Sequence, residues 1–551
     1  MRLVLPVLVA VAAATACPVV AQPAIVPAEH RVYDWLLTQR VAGLAPEYRH
    51  ETRPIDRSQI RRHLDSLATR ADRLGAPDRH WLDQFQREFF EPLDRVHSYA
   101  GHGEAGLVDP DAERTLGYFR DNDWRVLVWG EGVVEGRGAG ADLRPGGLAR
   151  SLRLTFDAEY RDLVGLYTST IEGNQVTGDP RAVVPDPQLR PLYNVSVDTA
   201  NASGIFDQTS ASLRVAGGPF SVEVANERLI YGPAADHSIQ LSDNADYLPF
   251  VRLALRGRSV TAEFVHAALS SRPRTVLDSL GRAAFFEAPD RFLALHRLEV
   301  QPVGWFTGGF TEMVVYGRRG PELAYLVPLF PFNTAEHATY DRDNTLFSLE
   351  GTVRPFAGAE VYGSWLVDNI GFSSFGTNGY GNRMAYQAGA RASVPRSGVT
   401  GFAEYILIDP YMYTHRFVED GLYFNGYTHN GFGLGHPLGP NADRWLVGVE
   451  AWLPWRARAR VSGRYVRKGR NPVDPATGIV TQVGGDVNVG EAPESGTKAF
   501  LAGDLFEGPG LRVEGEVEPA RGVSLRLYSD FQWWRDRPAD VFVRLSLAVR
   551  P

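Results

Sequence analysis

The sequence predicts an all-β transmembrane barrel of about 18 antiparallel strands, with a small N-terminal α-helical periplasmic domain. Three observations carry this. Strand-length segments alternate apolar and polar residues up to the last positions, as in Leu152, Leu154, Phe156, Ala158 and Tyr160 against Ser151, Arg153, Thr155, Asp157, Glu159 and Arg161. The connections between such segments alternate short and long. Hydrophobic residues make up 44% of the chain, yet beyond the N-terminus no run approaches the ~20 apolar residues of a membrane-spanning helix.

Residues 1–21 read as a secretory signal, with Arg2 as the basic region, Leu3 to Ala16 as the apolar core and Val19-Val20-Ala21 as a small-residue cleavage site before Gln22. The alternative is acylation at Cys17, although Ala14-Thr15-Ala16 lacks the usual large aliphatic residue. Cleavage after Ala21 removes the only cysteine, which excludes disulfides, a thiol nucleophile and thiolate-bound metal.

Residues 22–112 are expected to form the helical domain. Val32, Trp35, Leu36 and then Leu44 mark a first helix. Pro54-Ile55-Asp56 opens a second, with Ile60, Leu64 and Leu67 on one face, and Trp81, Leu82, Phe85 and Phe89 mark a third.

Residues 113–551 are expected to form the barrel, with strand centres near 124, 155, 168, 212, 225, 252, 264, 297, 310, 350, 363, 389, 403, 448, 463, 514, 527 and 544. Tight turns follow alternate strands, at Arg161-Asp162, Gly217-Gly218-Pro219, Arg256-Gly257-Arg258, Gln301 to Gly304, Pro355 to Gly358, Pro395 to Gly398, Leu453 to Arg456 and Glu518 to Arg521. Long polar loops separate them at 131–147, 173–205, 232–247, 271–291, 318–342, 371–383, 410–441 and 470–508, with a shorter one at 534–540. Outer-membrane barrels keep tight turns on the periplasmic side and long loops outside. The helices are then expected at the periplasmic mouth.

Net charge is −8, which argues against nucleic acid as a partner. All but two of the basic residues, Lys468 and Lys498, are arginine. A GC-rich genome accounts for that, and arginine forks also suit carboxylates on a ligand. Hydrolase, zinc-protease and phosphate-loop motifs are absent from the sequence. Gly136-Arg-Gly-Ala-Gly140 is read as a flexible loop and the scattered histidines, His296, His429 and His436 among them, as structural. No metal and no cofactor are expected, and a strand-entry turn explains Asp341-Arg342-Asp343-Asn344 better than calcium does.

Inward positions expected to hold the lumen together through mixed charges are Arg153, Asp157, Glu159, Glu223, Glu227, Arg252, Arg256, Arg526 and Asp530. The loop after Asn226 to Pro233 is short enough to fold into the lumen, with Gln240 to Asp246 following. It is either a plug pairing lumen charges or a solute or glycan contact, with Tyr231, Asp243 and Asn244 as contacts. A second candidate is the aromatic cluster of Tyr411, Tyr413, Phe417, Tyr423, Phe424, Tyr427 and Phe432. Aromatic faces beside polar groups stack on sugar rings, and Tyr411, Tyr413, Tyr423 and Tyr427 are the expected contacts; an interfacial girdle is the other reading.

At this point the chain resembles the Wzi-like capsule-assembly proteins of the bacterial outer membrane, over nearly all of its mature length. The resemblance is carried by Tyr231-Gly232-Pro233 with Leu241-Ser242-Asp243-Asn244-Ala245, His296 to Val300, Glu312 to Tyr316, and Tyr325-Leu326-Val327-Pro328 with Asp343-Asn344. It continues in Glu404-Tyr405 with Asp409-Pro410-Tyr411, in Gly433 to Asp443, and in the helical region with Pro54-Ile55-Asp56-Arg57 and Ile60.

The resemblance implies an eighteen-stranded barrel with periplasmic helices and a non-enzymatic role holding capsular or another exported polysaccharide at the cell surface, in the manner of a lectin. The partners expected are that polysaccharide, outer-membrane lipid, the barrel assembly machinery and the polysaccharide export apparatus, with the chain itself a monomer. One departure is the C-terminus, Val549-Arg550-Pro551, where many such barrels end in an aromatic residue. A porin or solute channel is the competing function, and an outer-membrane hydrolase a weaker one.

Overall fold

In the computed structural model the alternation resolves into one closed antiparallel barrel. The structure describes residues 24–90, 96–98, 113–121, 123–139, 144–161, 163–177, 196–198, 203–271, 274–277, 283–287, 290–328, 330–338, 342–369, 377–415, 418–419, 422–488 and 496–550. The signal-peptide reading lies outside them.

Eighteen long strands follow one another around the wall: β1 Trp124–Ala139, β2 Arg144–Tyr160, β3 Val164–Thr177, β4 Ser203–Gly217, β5 Phe220–Glu227, β6 Leu248–Arg256, β7 Val260–Leu269, β8 Arg291–Val303 and β9 Phe306–Gly317. The second half comprises β10 Asn344–Phe356, β11 Ala359–Asn369, β12 Arg383–Val394, β13 Val399–Ile408, β14 Ala442–Leu453, β15 Ala457–Arg470, β16 Asp504–Ala520, β17 Val523–Trp534 and β18 Arg537–Val549. Closure comes from β18 against β1, in register from Phe542↔Ala139 to Val549↔Gly132. Short strands Gly117–Arg120 and Ser196–Asp198 add to β1 and β4.

Each expected strand centre falls on or within one of these strands, and the tight turns fall at one end of the wall. One loop expectation is corrected. Residues 131–147 are mostly strand, and Gly136 is paired on both sides, to Leu545 and to Leu148. Glycines there break the apolar alternation that marks a strand in sequence, while two neighbouring ladders satisfy the backbone regardless.

The two faces separate as a membrane barrel requires. Leu152 is 61% exposed, Val224 57% and Leu545 58%, whereas Asp157, Glu159, Glu223, Ser546 and Ala548 on the opposite face are buried. At the tight-turn end Trp305, Phe356 and Trp455 stand exposed, the position of an interfacial aromatic girdle.

The N-terminal helices are α1 Val32–Val41, α2 Arg57–Ala68 and α3 Ala76–Phe90. Asp56 caps α2 by accepting from the Gln59 amide at 2.9 Å, as Asp does at a helix start. Ile60, Leu64 and Leu67 pack with Trp35, Leu36, Trp81, Phe85 and Phe89, and Leu44 joins this core from beyond the end of α1. The same core includes Trp452 of β14: Trp81 meets it edge-on at 4.9 Å and donates to the Leu453 carbonyl at 3.0 Å. A Cβ on Gly75 would collide with the carbonyl of Arg396 in the β12–β13 turn. The helices therefore lie against the tight-turn end of the wall.

Candidate functional site

The inward face of the wall is layered. On β8, Leu293 and Leu295 lie toward the long-loop end and Arg297 and Glu299 toward the turns; on β7, Ala267 and Val265 precede Glu263 in the same sense. The turn-side layer carries charge, so it needs partners, and the N-terminal segment supplies them.

Residues 46–57 thread from the helices into the lumen. Arg40 lies between Glu51 at 2.8 Å and Glu360 at 2.9 Å, all three with side chains 0–1% exposed. Thr352 donates to Glu51 at 2.8 Å and Thr52 to Glu299 at 2.7 Å. Arg297 reaches the Thr52 hydroxyl at 2.7 Å and the Glu51 carbonyl at 3.0 Å. Asp56 pairs with Arg214 at 2.9 Å and lies 3.8 Å from Arg256. Thr52 and Arg53 also pair as a strand with Tyr231 and Ile230 of the inward loop. The helical part is thus more than a domain at the mouth, because its linker is built into the lumen.

Burial pushes the Glu51 carboxyl up, but Arg40 outweighs it by charge and hydrogen bond and holds it down to about 2. Its contribution is present above the ordinary carboxylate range and is lost only as pH falls toward that value. His50 is the more sensitive group. Burial first, then Arg53, Arg40 and Arg391, push its imidazole well below 6.5. The unfolded chain then binds a proton that the folded one refuses, so stability is complete above pH 6.5 and declines as pH falls below it. Protease protection of the helices should weaken on acidification through that range, and His50→Gln should reduce the dependence, with His63 of α2, held down to about 3 chiefly by burial, carrying a further part; a dependence unchanged by the variant would assign it elsewhere.

Toward the long-loop end the β6–β13 side of the lumen is filled by apolar packing. The loop after β5 turns inward at Gly232, whose φ of 114° and 2.5 Å approach of Ser238 Oγ to a built Cβ both demand glycine. Leu229, Ile239, Leu241, Ala245, Met412, Tyr413, Tyr427 and Leu434 pack there with inward residues of β6–β13. Tyr413 and Tyr427 stack at 5.7 Å and donate to the carbonyls of Ile239 at 2.7 Å and Gln240 at 2.9 Å, while Tyr231 donates to Glu263 at 2.8 Å. Tyr411 and Tyr413 hold φ of 66° and 68°, a region non-glycine residues adopt only where their surroundings impose it.

This corrects the expectation that Tyr411, Tyr413 and Tyr427 offer their ring faces to a sugar, and of the two readings of the inward loop it places Tyr231 in the plug. Tyr231, Tyr413 and Tyr427 are 0–1% exposed and Tyr411 6%. Their rings join two inward loops rather than facing out, because burying them gives more than exposing them once a lumen is available to fill. Tyr423 pairs with Val418 in a short hairpin, and its side chain lies outside the described residues. Asp243 and Asn244 are at the plug's edge: Asp243 is bonded to His237 at 2.7 Å, and Asn244 donates to the Gly433 carbonyl at 2.7 Å.

The charged positions form pairs, some closed within the wall and others beside an open half of the lumen. Glu223 is held by Arg252 at 2.9 Å and Ser212 at 2.8 Å, Arg256 meets Glu263 at 2.5 Å, and Glu227 takes the Ser210 hydroxyl and the Arg228 amide. Asp157 lies 3.5 Å and Glu159 3.2 Å from Arg125. Asp530 binds Arg464 and Arg512, and Arg526 is 3.3 Å from Glu516.

On the β1–β3 and β16–β18 side a cavity of about 880 Å³ opens at the turn end between the helices and the rim. A second, of about 650 Å³, runs up to Asp236, His237, Asp243 and Asn244. Glu29, His30, Glu131, Arg153, Arg458 and Arg526 line both, so the two adjoin. Arginines and carboxylates face each other throughout, and the inward loop forms the upper wall. Asp236 there is bound by Arg444 at 2.9 Å and Arg512 at 3.2 Å, and Arg391 donates to the Pro233 carbonyl at 2.9 Å. Sequence reasoning missed Asp236, Arg391, Arg444 and Arg512; the inward alternation of Arg391, Arg444 and Arg512 on their strands was the available signal. Among the described residues no group of His, Asp and Glu is arranged to hold a metal ion.

Sequence comparison with curated proteins finds no match. In structure the chain is similar to Wzi, an outer membrane protein involved in group 1 capsule assembly in Escherichia coli and a carbohydrate-binding β-barrel, at 13% identity and a TM-score of 0.59 over 96% of this chain and 99% of that one. It is also similar to OccAB4 of Acinetobacter baumannii, at 10% identity and a TM-score of 0.44 over 77% of this chain and 98% of that one. OprD of Pseudomonas aeruginosa gives 10% and 0.42 over 81% and 99%. The family model described as capsule assembly protein Wzi matches residues 151–532; with that span covering most of the barrel, the chain belongs to the Wzi capsule assembly family.

Proposed function

We propose that the protein is a non-enzymatic outer-membrane barrel that binds capsular or another exported polysaccharide and holds it at the cell surface, its helices in the periplasm and its long loops outside. The observation that carries this reading is the apolar plug of inward loops that fills the β6–β13 side of the lumen in a member of the Wzi family. A wall whose inner loops pack into an apolar core offers its outer loops to a ligand and narrows the path for a solute. The carbohydrate binding described for the Escherichia coli protein agrees with it.

The glycan contact is assigned to the rim beside the plug. Residues 471–482 project there, bridged Val473↔Val480, with Asp474, Thr477, Ile479 and Thr481 exposed. Tyr380 meets Tyr411 edge-on at 5.1 Å, and Tyr411 donates to the Gln482 carbonyl at 3.1 Å, so the plug braces this loop. Alternating small apolar and hydroxyl-bearing side chains suit the C–H face and hydroxyl rim of a sugar. Purified full chain should bind the polysaccharide isolated from its own cells, and Tyr380→Ala with Ile479→Ala should weaken that binding. Equal affinity in the variant would remove this rim from the site, and absence of binding by the parent chain would overturn the function.

A further inference from the structure

One long loop does not rise from the wall but folds down its outer face. Pairing fixes a row of outward positions across four strands, Phe264↔His296, His296↔Glu312 and Glu312↔Phe347. Two of these are polar on a face that elsewhere meets lipid, a costly placement unless something covers them.

The segment after β9 is that cover. Phe332 stacks on His296 at 4.0 Å, and Glu312 accepts from the Phe332 and Asn333 amides at 2.9 and 3.3 Å. Tyr316, also outward, is bonded to His266 at 2.8 Å and accepts from the Glu322 amide at 3.1 Å. Beneath the cover Ala294, Val314 and Tyr316 are wholly buried together with Tyr325 and Phe332 of the cover itself.

The cover's other side is apolar. Leu323 is 76% exposed, Val327 50%, and Leu326 and Phe330 over a third, and no charged residue occurs between Glu322 and Glu336. Water around such a run in an ordinary surface loop would be unfavourable. Its height on the wall gives the solvent it meets. Phe347 in the same row touches Trp365 at 6.2 Å, Trp365 is paired with the exposed Tyr386, and the exposed Phe310, Leu298 and Leu349 continue the outward surface beside it. The patch is thus continuous with the lipid-facing belt.

We infer that Leu323, Leu326, Val327 and Phe330 contact acyl chains of the outer leaflet, making this loop a lipid-embedded cover that hides His266, His296 and Glu312 from the membrane. The inference rests on the barrel spanning a membrane and is independent of polysaccharide binding.

The test uses the full chain with Cys17→Ser and a single bimane-labelled cysteine, Leu323→Cys or Val327→Cys, in phosphatidylcholine vesicles containing nitroxide-labelled lipid. Ile479→Cys on the projecting loop is the aqueous reference, and heat-dependent gel mobility establishes that each barrel is folded. Lipid nitroxide should quench the labels at 323 and 327 about threefold or more over that at 479, with aqueous iodide giving the reverse order, as for a side chain seated in the interface. Iodide quenching equal to that at 479 would overturn the inference. So would shielding from both quenchers, which would mean a protein partner covers the patch.

Discussion

Replacing Arg40 by alanine is expected to release the helices and their linker from the barrel. The guanidinium is wholly buried between Glu51 and Glu360, and burial lowers its proton affinity less than those two carboxylates raise it. Removing it takes away the cation that the two buried carboxylates share, and breaking a buried pair in this way costs about 3–5 kcal/mol. Glu360 keeps Arg391 at 2.7 Å, but Glu51 keeps only Thr352 and the more distant charge of Arg354. Hydrogen exchange should report the loss, with protection falling in α1 and α2 while the strands of the wall stay protected. Arg40→Lys should recover part of it, since a point charge replaces a fork. Unchanged protection in Arg40→Ala would mean that the remaining ties, Asp56 to Arg214, Thr52 to Glu299 and Trp81 to Trp452, suffice to hold the helices.

Tyr427→Ala is expected to unseat the plug. The side chain is fully buried, stacked on Tyr413 and bonded to the Gln240 carbonyl, so it ties the loop after β13 to the loop after β5. Truncating a buried aromatic costs about 3–5 kcal/mol, and 3 kcal/mol raises the fraction of molecules with the loop displaced roughly 100-fold. The adjoining cavities already hollow the lumen from the turn end to Asp236 and Asn244, so displacement of this loop should complete a path. In planar bilayers the parent chain should show no steady large openings and the variant should show them. Steady openings of the parent chain would instead favour a solute channel.

The wall was legible in the sequence because period-2 alternation is imposed by the membrane on one side and a polar lumen on the other. Ser151 to Arg161 and, apart from Phe542 and Ala548, Val541 to Arg550 display it, and the long and short connections order the strands. It failed at Gly132, Gly136 and Gly138 of β1, where glycine carries no side chain to alternate. Mixed charges at Glu223, Arg252, Arg256 and Asp530 marked lumen positions, but their partners, Ser212, Glu263, Arg464 and Arg512, are set by register between strands, which one sequence does not contain. The tyrosines between 411 and 427 were visible as a cluster, yet aromatic composition is the same for a ring that stacks on sugar and one that fills a plug. What separates them is the inward turn at Gly232 and the positive φ of Tyr411 and Tyr413, both consequences of tertiary packing. The uncharged run from Leu323 to Ala335 was likewise present in the sequence, and only the outward placement of His296 and Glu312 gives it a meaning.

Retention of polysaccharide on the cell is the role proposed for this barrel. It is tested most directly by deleting the gene, restoring it or the Tyr380→Ala, Ile479→Ala form, and measuring polysaccharide held on cells against that released to the medium. Deletion should shift polysaccharide from cells to medium, a change reversed by the parent gene and only in part by the variant. An unchanged partition on deletion would contradict that role.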